Sequence, residues 1–405
     1  MKVIKILISI FFILTIPSIS IADDFIESNS EEITVSTNIV SEEPQIYSRR
    51  AIVFERNSKT ILYEKNSNEQ CKMASTTKIM TCIIILENCD LNSIVTISAN
   101  SANTYGSRLG LHTNDTISVE HLLYGLMLCS GNDAAVALAE FCSGSIENFS
   151  VLMNQKAQML SLLNTSFSTP HGLDNDNHYT TAYDFAILTD YALNNPLFAQ
   201  IVGTKYYTVL INGYSKSIHN TNELLGSIPS VYGVKTGYTS EAGRCLISAA
   251  KQNNLDIIVV VFGADTKKIR TDDSANLINY IFTNYDTINL SELINNKFSE
   301  FEKGILPYIN VIKSSNPLIP KLEDSTIEFY PVKKDSLDSI SLSVTEESLE
   351  APILENQKIA EIQVYVKNNK IFSTNIVSST YINRKNWFDY LSFFIINYKS
   401  FYQIY

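Results

Sequence analysis

The chain has 405 residues, of which 45% are hydrophobic and 18% charged, enough for two domains that each bury a core. Its 42 acidic and 31 basic residues give a formal net charge of −11. This balance argues against a nucleic-acid partner and provides no basic patch for anionic lipid, but it does not identify a substrate.

The first 22 residues have the pattern of a secretory signal peptide. Two lysines precede an apolar run from Ile6 to Ile16, and Ser20 and Ala22 supply the small residues before the acidic pair that follows. This order predicts export and cleavage after Ala22. The alternative is a retained N-terminal anchor, and in either case the mature chain works outside the cytoplasm.

The start of the mature chain has no hydrophobic periodicity. Residues 23–46 are polar and acid-rich, so we expect a flexible lead-in. The apolar runs Ala51–Glu55 and Ile61–Glu64 follow, and they flank the polar stretch Arg56–Thr60. This pattern predicts a β-hairpin at the start of the first domain.

The stretch Ala74–Leu86 places a hydroxyl and an amine three residues apart, at Ser75 and Lys78, ahead of a nearly continuous apolar run. Residues three apart share a helix face, so the two side chains can meet. Ser75 would lie near a helix N-terminus, where backbone N–H groups favour negative charge. Burial favours the neutral amine, which would then accept the serine proton. The alternative is a capped core helix with a surface lysine.

A second polar cluster lies in a short turn between two apolar segments. Residues Ser118–Leu128 begin with an N-cap serine and keep helical apolar spacing, and Asp133–Phe141 begins another apolar helix. Ser130 and Asn132 lie between them, where a buried hydroxyl and a buried amide need hydrogen-bond partners. The alternative is that Asn132 only caps the second helix.

The third polar cluster is Lys235-Thr236-Gly237, which lies inside a predicted strand. The elements expected here are that strand, two more antiparallel strands and a helix: Val231–Thr239, Cys245–Ala250, Asp256–Phe262 and Asp272–Phe282. Helices that flank and interrupt a strand-rich set predict an α/β (α+β) layered domain with an antiparallel sheet and a helical subdomain. We assign this domain to residues 47–283.

The composition shifts toward Ser, Asp, Glu and Lys beyond the first domain. Alternating runs at Ile327–Val332 and Ile340–Val344 predict strands, and Lys358–Lys367 with Ile371–Val377 predict a hairpin. We therefore predict a small β-rich domain at residues 284–383, which holds none of the three polar clusters.

The last segment, residues 384–405, is rich in aromatic and aliphatic residues. At about 100° per residue most of its polar side chains gather on one side, although Phe393 and Ile396 interrupt the polar arc. Its unbroken apolar part is shorter than the ~20 residues that a membrane span needs. We expect an amphipathic helix that lies on the membrane surface; the alternative is a terminal helix docked on the protein itself.

Cysteine and histidine spacing gives no sign of a metal site. The chain has six cysteines: Cys71, Cys82, Cys89, Cys129, Cys142 and Cys245. Four of them, Cys82, Cys129, Cys142 and Cys245, lie in apolar contexts that suit buried free thiols. No metal ligand set and no cofactor are expected.

The three polar clusters form a set. Each occurs once and lies at the boundary of a predicted element, in the order S-T-T-K at 75–78, S-G-N at 130–132 and K-T-G at 235–237. Class A β-lactamases and penicillin-binding proteins carry this type of trio. Joint occurrence in one exported chain argues against coincidence.

With these motifs the chain resembles the low-molecular-mass penicillin-binding proteins of the serine D-Ala-D-Ala carboxypeptidase (S11 peptidase) family. Four segments carry the likeness: Ala74–Thr81, Pro170–Leu173, Tyr179–Asp184 and Val234–Thr239. The signal peptide, the β-rich domain and the amphipathic tail also match that family's layout. The resemblance implies an enzyme at the outer face of the cytoplasmic membrane or in the cell wall. Its substrate would be a peptidoglycan stem peptide ending in D-Ala-D-Ala, and β-lactams would be covalent inhibitors.

The resemblance also implies catalytic roles for the motif residues. Ser75 would be the nucleophile that attacks the carbonyl between the two D-alanines. Lys78 would be its general base, with its proton displaced by burial and by the positive Lys235. Ser130 would relay a proton to the departing amine. The backbone N–H groups of Ser75 and Tyr238 would form the oxyanion hole.

The resemblance assigns substrate binding to the remaining motif residues. Asn132 would hold the substrate backbone, and Lys235 and Thr236 would bind the terminal carboxylate through charge-assisted contacts. Gly237 would leave room for substrate along the strand edge. Arg270 lies where the resemblance suggests a supporting arginine.

A class A β-lactamase is one alternative function on the same fold. That family has Asp at the middle of the second motif, where this chain has Gly131, and it needs a deacylating glutamate downstream. The chain reads Thr165-Ser-Phe-Ser168 near that point and has no Glu between Glu147 and Glu223. The missing base and the extra domain both count against this alternative.

Three further alternatives use other features. A non-catalytic wall-binding protein would allow degenerate motifs, whereas none of the three is degenerate. A Ser-His-Asp mechanism through His171 and Asp174 lacks a G-x-S-x-G elbow. Endopeptidase action on cross-links is a close variant of the carboxypeptidase reaction and stays open.

Overall fold

A computed structural model describes residues 42–309, 311–323 and 327–402. The predicted signal peptide and most of the predicted lead-in lie outside the described residues. Across these three ranges, every helix is too short or too polar to cross a membrane.

Runs of strands and runs of helices follow one another along the chain. The strands are β1 (Arg50–Glu55), β2 (Ile61–Lys65), β3 (Ile94–Thr96), β4 (Thr116–Ser118), β5 (Tyr206–Ile211), β6 (Tyr214–His219), β7 (Val231–Thr239), β8 (Gly243–Gln252), β9 (Leu255–Ala264), β10 (Tyr285–Asn289), β11 (Pro320–Leu322), β12 (Phe329–Lys333), β13 (Ile340–Glu346), β14 (Lys358–Val366) and β15 (Asn369–Ser378). The α-helices are α1 (Lys78–Asn88), α2 (Ala99–Ala102), α3 (Val119–Met127), α4 (Asn132–Ser143), α5 (Ile146–Met159), α6 (Ala182–Leu193), α7 (Pro196–Gly203), α8 (Lys267–Asn284), α9 (Leu290–Gly304) and α10 (Trp387–Tyr402). Short 3-10 helices lie at Ala74–Thr77, Leu306–Tyr308 and Lys334–Ser339.

A five-stranded antiparallel sheet with the order β2-β1-β9-β8-β7 is the centre of the first domain. Every residue of β9 is buried, because both faces of this strand pack into a core. Ile258 and Val260 face the helical side, whereas Val259 and Val261 face the side covered by α8. The order leaves β7, the strand of the third polar cluster, at an edge of the sheet.

Helix α1 lies at the centre of the helical side. Its residues from Lys78 to Ile85 are all buried, as expected of a helix that is apolar on nearly every face. Helices α3, α4, α5 and α6 contact it. The polar clusters of α1 and of the α3–α4 turn therefore lie in one densely packed layer.

Most predicted elements of the first domain are confirmed, as is the α/β layered fold class. The hairpin is formed by β1 and β2, and Ser118 caps α3 by accepting from the N–H of His121. Helix α8 begins five residues before its predicted start at Asp272, because Thr266 caps it by accepting from the N–H of Ile269. Cys142 is half-buried, so the expectation that it is a buried thiol is wrong.

The region beyond residue 284 contains a four-stranded antiparallel sheet with the order β11-β15-β14-β13. The predicted hairpin is β14 and β15. Helix α9, which the polar composition did not suggest, packs Leu290, Ile294 and Phe301 against this sheet. Helix α10 falls on the predicted tail, and its described aromatic side chains include Trp387 and Phe388, both about 70% exposed.

The buried carboxylate of Asp273, on α8, holds the residues that precede β1. Asp273 Oδ2 accepts hydrogen bonds from the backbone N–H groups of Tyr47 and Ser48 and from the Ser48 hydroxyl, at 3.0, 2.7 and 2.5 Å. Asp273 is 1% exposed. These bonds fix the chain just before β1, which lies between β2 and β9 in the central sheet.

We expect Asp273→Asn to lower the free energy of unfolding by about 2–3 kcal/mol, because it weakens charge-assisted hydrogen bonds and leaves a buried donor unpaired. Urea denaturation measures this change. Asp272→Asn is the matched control, since the adjacent side chain is 46% exposed, and its effect should stay within about 0.5 kcal/mol. Equal effects of the two substitutions would contradict an anchoring role for Asp273.

Candidate active site

The first two motif residues are in contact. Ser75 lies in the 3-10 turn Ala74–Thr77, which leads directly into α1 at Lys78. The distance from Lys78 Nζ to Ser75 Oγ is 2.8 Å. The sequence prediction that the amine and the hydroxyl share a helix face is thus confirmed, and the alternative of a surface lysine is wrong because Lys78 is fully buried.

The amine of Lys78 also contacts two carbonyl oxygens. Its Nζ lies 2.7 Å from Asn132 Oδ1 and 2.8 Å from the backbone oxygen of His171. In a neutral amine, two N–H groups would donate to these oxygens and the lone pair would face Ser75 Oγ. The geometry therefore suits proton transfer from the hydroxyl to the amine.

Both the oxygen and the nitrogen of the Asn132 side-chain amide form hydrogen bonds within the protein. Besides its bond to Lys78, its Nδ2 donates to the backbone oxygen of Tyr105 at 2.7 Å. Asn132 makes no side-chain cap on α4, so the capping alternative is wrong. Its amide instead joins the amine of α1 to the loop at Tyr105.

Asp133, which the sequence analysis did not single out, fixes that same loop. Its carboxylate accepts from the backbone N–H groups of Leu109, Gly110 and Leu111 at 2.8–3.0 Å, and the residue is fully buried. The sequence signal for this role was the position of Asp133, an acidic residue in the first turn of a helix that follows a motif.

Ser130 has an unusual backbone and a free hydroxyl. Its φ is 60°, in the left-handed region that non-glycine residues rarely occupy. The residue is 1% exposed, and its Oγ has no hydrogen-bond partner among the described residues. A buried hydroxyl with this freedom is suited to contact a bound molecule.

The third motif lies against the Ser75 turn. A Cβ atom on Gly237 would lie 3.0 Å from the backbone nitrogen of Ser75, so glycine lets β7 approach the turn closely. Lys235 is 1% exposed, and its Nζ lies 3.0 Å from the backbone oxygen of Thr236. The hydroxyl of Thr236 is hydrogen-bonded to that of Thr221 at 2.6 Å.

Tyr238 and Arg270 complete the predicted set. Tyr238 follows Gly237 on the edge strand, and the guanidinium of Arg244 lies 3.9 Å from its ring centre. Arg270 is fully buried, and its Nη2 is paired with Glu223 at 2.7 Å. Its Nε and Nη1 have no partner in the described part of the chain.

A loop that contains two histidines packs behind the nucleophile's turn. Gly172 has a φ of +91°, and a Cβ there would lie 1.8 Å from the backbone oxygen of Ala74. Only glycine fits this contact. The loop thereby places the carbonyl of His171 beside Lys78, whereas Asp174 accepts from Thr239 at 2.8 Å.

His178 supports the same turn through a hydrogen bond to Thr77. Its Nδ1 accepts from the backbone N–H of Ser168 at 3.0 Å, so the proton of the neutral ring lies on Nε2, 2.8 Å from Thr77 Oγ1. The Thr77 hydroxyl in turn donates to the oxygen of Ala74. Burial and the positive Lys72 lower the pKa of His178 to about 3.

His171 is also neutral at physiological pH. Burial, the Lys78 amine and His178 lower the pKa of His171 to about 3. The sequence offered His171 for the Ser-His-Asp alternative or for structural hydrogen bonding, and its Nδ1 accepts from the backbone N–H of Leu173 at 3.2 Å; His178 was assigned no role. In the described ranges, no group of three or more His, Cys, Asp or Glu side chains could hold a metal ion.

Family models match both parts of the chain. The model for D-alanyl-D-alanine carboxypeptidase matches residues 37–266, and the model for the C-terminal domain of penicillin-binding protein 5 matches residues 323–384. The chain is 34% identical over 339 residues to the D-alanyl-D-alanine carboxypeptidase DacF of Bacillus subtilis, covering 82% of this chain and 84% of that protein. It is 32% identical to DacA of Haemophilus influenzae, with the same two coverages.

Solved structures agree with these relatives. Penicillin-binding protein 5 of Haemophilus influenzae superposes with a TM-score of 0.69 at 27% identity, over 85% of this chain and 99% of that one. The Streptomyces K15 DD-transpeptidase gives a TM-score of 0.56 at 33% identity, over 59% of this chain and 98% of that one. The chain therefore belongs to the D-alanyl-D-alanine carboxypeptidase (S11 peptidase) family, penicillin-binding enzymes of peptidoglycan metabolism.

Proposed function

We propose that this carboxypeptidase removes the terminal D-alanine of stem peptides through an acyl-enzyme on Ser75, with Lys78 as the general base. The observation that carries the proposal is the buried amine of Lys78, 2.8 Å from Ser75 Oγ. Asn132 Oδ1 and the His171 carbonyl hold this amine in place. Penicillins would acylate the same serine, because their strained amide occupies the place of the D-Ala-D-Ala carbonyl.

Acylation follows from these contacts. Ser75 Oγ attacks the carbonyl carbon while its proton moves to Lys78 Nζ. The backbone N–H groups of Ser75 and Tyr238 stabilise the oxyanion, and such preorganised donors supply about 3–4 kcal/mol each. The C–N bond then breaks as Ser130 gives its hydroxyl proton to the leaving amine and receives in exchange the proton that Lys78 Nζ had accepted. Water hydrolyses the ester and regenerates the free hydroxyl.

Substrate recognition is assigned to the edge strand β7. The terminal carboxylate binds Lys235 Nζ and Thr236 Oγ1, a charge-assisted contact that favours peptides with a free C-terminus. The peptide backbone extends along the edge of β7, because an edge strand has unpaired backbone groups to offer. The second N–H of the Asn132 amide faces the substrate from the opposite wall.

The domain division and the location of the enzyme are also part of the proposal. Residues 1–22 act as a signal peptide, 23–46 as a lead-in, 47–283 as the catalytic domain, 284–383 as the β-rich domain and 384–405 as a membrane-surface helix. Exposed aromatic residues on α10, such as Phe388 and Phe394, support the last assignment. The enzyme then works at the outer face of the cytoplasmic membrane.

Replacement of the nucleophile is the first test. We expect Ser75→Ala to lower the release of D-alanine from a pentapeptide ending in D-Ala-D-Ala by at least about 10³-fold, because the acyl-enzyme cannot form. Released D-alanine is measured with a coupled oxidase assay. The control is Ser217→Ala, on an exposed position of β6. D-Alanine release at the parental rate by Ser75→Ala would show that another residue is the nucleophile.

The support of the turn by His178 gives a second prediction. We expect His178→Ala to slow acylation by a fluorescent penicillin about 10- to 100-fold, because the Ala74–Ser75 turn loses its positioning bond through Thr77. His178→Gln should recover most of the rate, since an amide has both a donor and an acceptor. His112→Ala, at a side chain that is 87% exposed, serves as the control.

The pH profile separates this support from proton transfer by His178. Its pKa of about 3 lies below the assay range, so the ring stays neutral from pH 5 to 9. His178→Gln should therefore keep the shape of the parental profile of acylation rate against pH. If the acidic or the basic limb of the pH profile disappeared in His178→Gln, the imidazole would take part in proton transfer instead.

Membrane binding gives a third prediction. We expect Phe388→Ser combined with Phe394→Ser to reduce cosedimentation with phosphatidylglycerol-containing vesicles by about tenfold or more, because the membrane surface would no longer bury these two exposed aromatic rings. Tyr214→Ser, at a residue that is 79% exposed on β6, is the control. If the double variant sediments like the parent, α10 is not the membrane contact.

A further inference from the structure

Two cysteines lie together at the ends of the helices that begin with motif residues. Helix α1 begins at Lys78 and is followed by Cys89 as its C-cap residue. Helix α4 begins at Asn132, and Cys142 lies in its last turn. The two thiols form a hydrogen bond with each other. Helices α1 and α4 contact each other, and both cysteines are half-buried where they pack against the same core, so the pair is accessible from solvent.

This pair differs from the other four cysteines. Three of those are buried in the core: Cys82, Cys129 and Cys245. Cys71 is half-buried, but the groups that act on it are Arg50 and Glu69 rather than a second thiol, and burial raises its pKa to about 12. Only the pair therefore combines access with a thiol partner among the described residues.

The hydrogen bond also makes the two thiols unequal. It stabilises the thiolate of Cys142 and lowers the pKa of that residue to about 7, and it raises the pKa of Cys89. The thiolate is the nucleophile in thiol–disulfide exchange. The hydrogen bond therefore favours a thiolate within the pair, and Cys142 is the partner whose pKa it lowers.

We propose that Cys89 and Cys142 form a disulfide bond in the exported protein and thereby tie the C-terminal ends of α1 and α4 together. This inference goes beyond the carboxypeptidase reaction, and it rests on the proposed function only for the export of the chain. Disulfides persist outside the cytoplasm, where thiols are not kept reduced.

The oxidant in this reaction is another disulfide, either a small molecule such as oxidised glutathione or a protein oxidoreductase. The Cys142 thiolate attacks one of its sulfurs, forms a mixed disulfide and expels the first thiolate. Cys89 loses its proton to solvent and attacks the Cys142 sulfur, which expels the second thiolate. The protein loses two hydrogen atoms, and the oxidant is reduced to two thiols.

The cross-link would close a loop that contains α3 and the turn with Ser130. Constraining this loop in the unfolded chain stabilises the folded helical layer, and longer loops gain more. The bond lies at the helix ends remote from Lys78 and Asn132, so the arrangement of the catalytic residues is expected to be the same in the reduced and oxidised protein.

The test treats the purified full chain with oxidised glutathione or with dithiothreitol. Peptide mapping after alkylation under denaturing conditions should find a linked Cys89–Cys142 peptide only in the oxidised sample. The melting temperature should rise by on the order of 5–10 °C on oxidation and return on reduction. Alkylation of both cysteines in the oxidised sample would overturn the proposal.

Variants assign the effect to the pair. Cys89→Ser and Cys142→Ser should lose the redox-dependent shift in melting temperature, whereas Cys71→Ser should keep it. A shift that persists in Cys142→Ser would also overturn the proposal. None of these readouts uses catalytic activity. A linked peptide in a protein that releases no D-alanine would therefore refute the proposed mechanism alone, and an active protein without the link would refute the disulfide alone.

Discussion

The contact on which the rest of the site depends is that of one buried lysine amine with three oxygens. Lys78 Nζ lies within 2.8 Å of Ser75 Oγ, Asn132 Oδ1 and the carbonyl of His171. A buried amine needs such partners, since desolvation without hydrogen bonds would cost several kcal/mol. Each oxygen comes from a different part of the chain, so the amine can be satisfied only when the helical layer, the α3–α4 turn and the histidine-containing loop have all folded.

Close backbone approaches complete this arrangement. Gly237 allows β7 to lie against the backbone of Ser75, and Gly172 allows the histidine-containing loop to lie against Ala74. The turn that carries the nucleophile is thus packed between a sheet edge and a loop. His178 and Thr77 add a hydrogen-bonded support beneath it. A nucleophile held in this way needs little reorganisation before it attacks.

Much of this could be predicted from residue patterns, and the remainder depends on contacts across long separations. The apolar run after Lys78 and the apolar runs in β8 and β9 are local signals, so the helix, these strands and the meeting of Ser75 with Lys78 were predictable. The bond from Asn132 to Lys78 was not, because the same residue next to a helix start also suits a cap. The contribution of the His171 backbone has no side-chain signature. Helix α9 was predictable too, since Leu290, Leu293, Ile294, Phe298 and Phe301 recur at helical spacing after the N-cap residue Asn289, but the polar composition of the region masked this pattern.

The most direct test of the central claim is to locate the adduct after treatment with benzylpenicillin. Intact mass spectrometry followed by peptide mapping should find one penicilloyl group per chain, attached to Ser75 and stable for many minutes. An adduct on another residue, or no adduct while the drug remains intact, would contradict the assignment of Ser75 and Lys78 as the reacting pair. Rapid hydrolysis of the drug would instead indicate a β-lactamase.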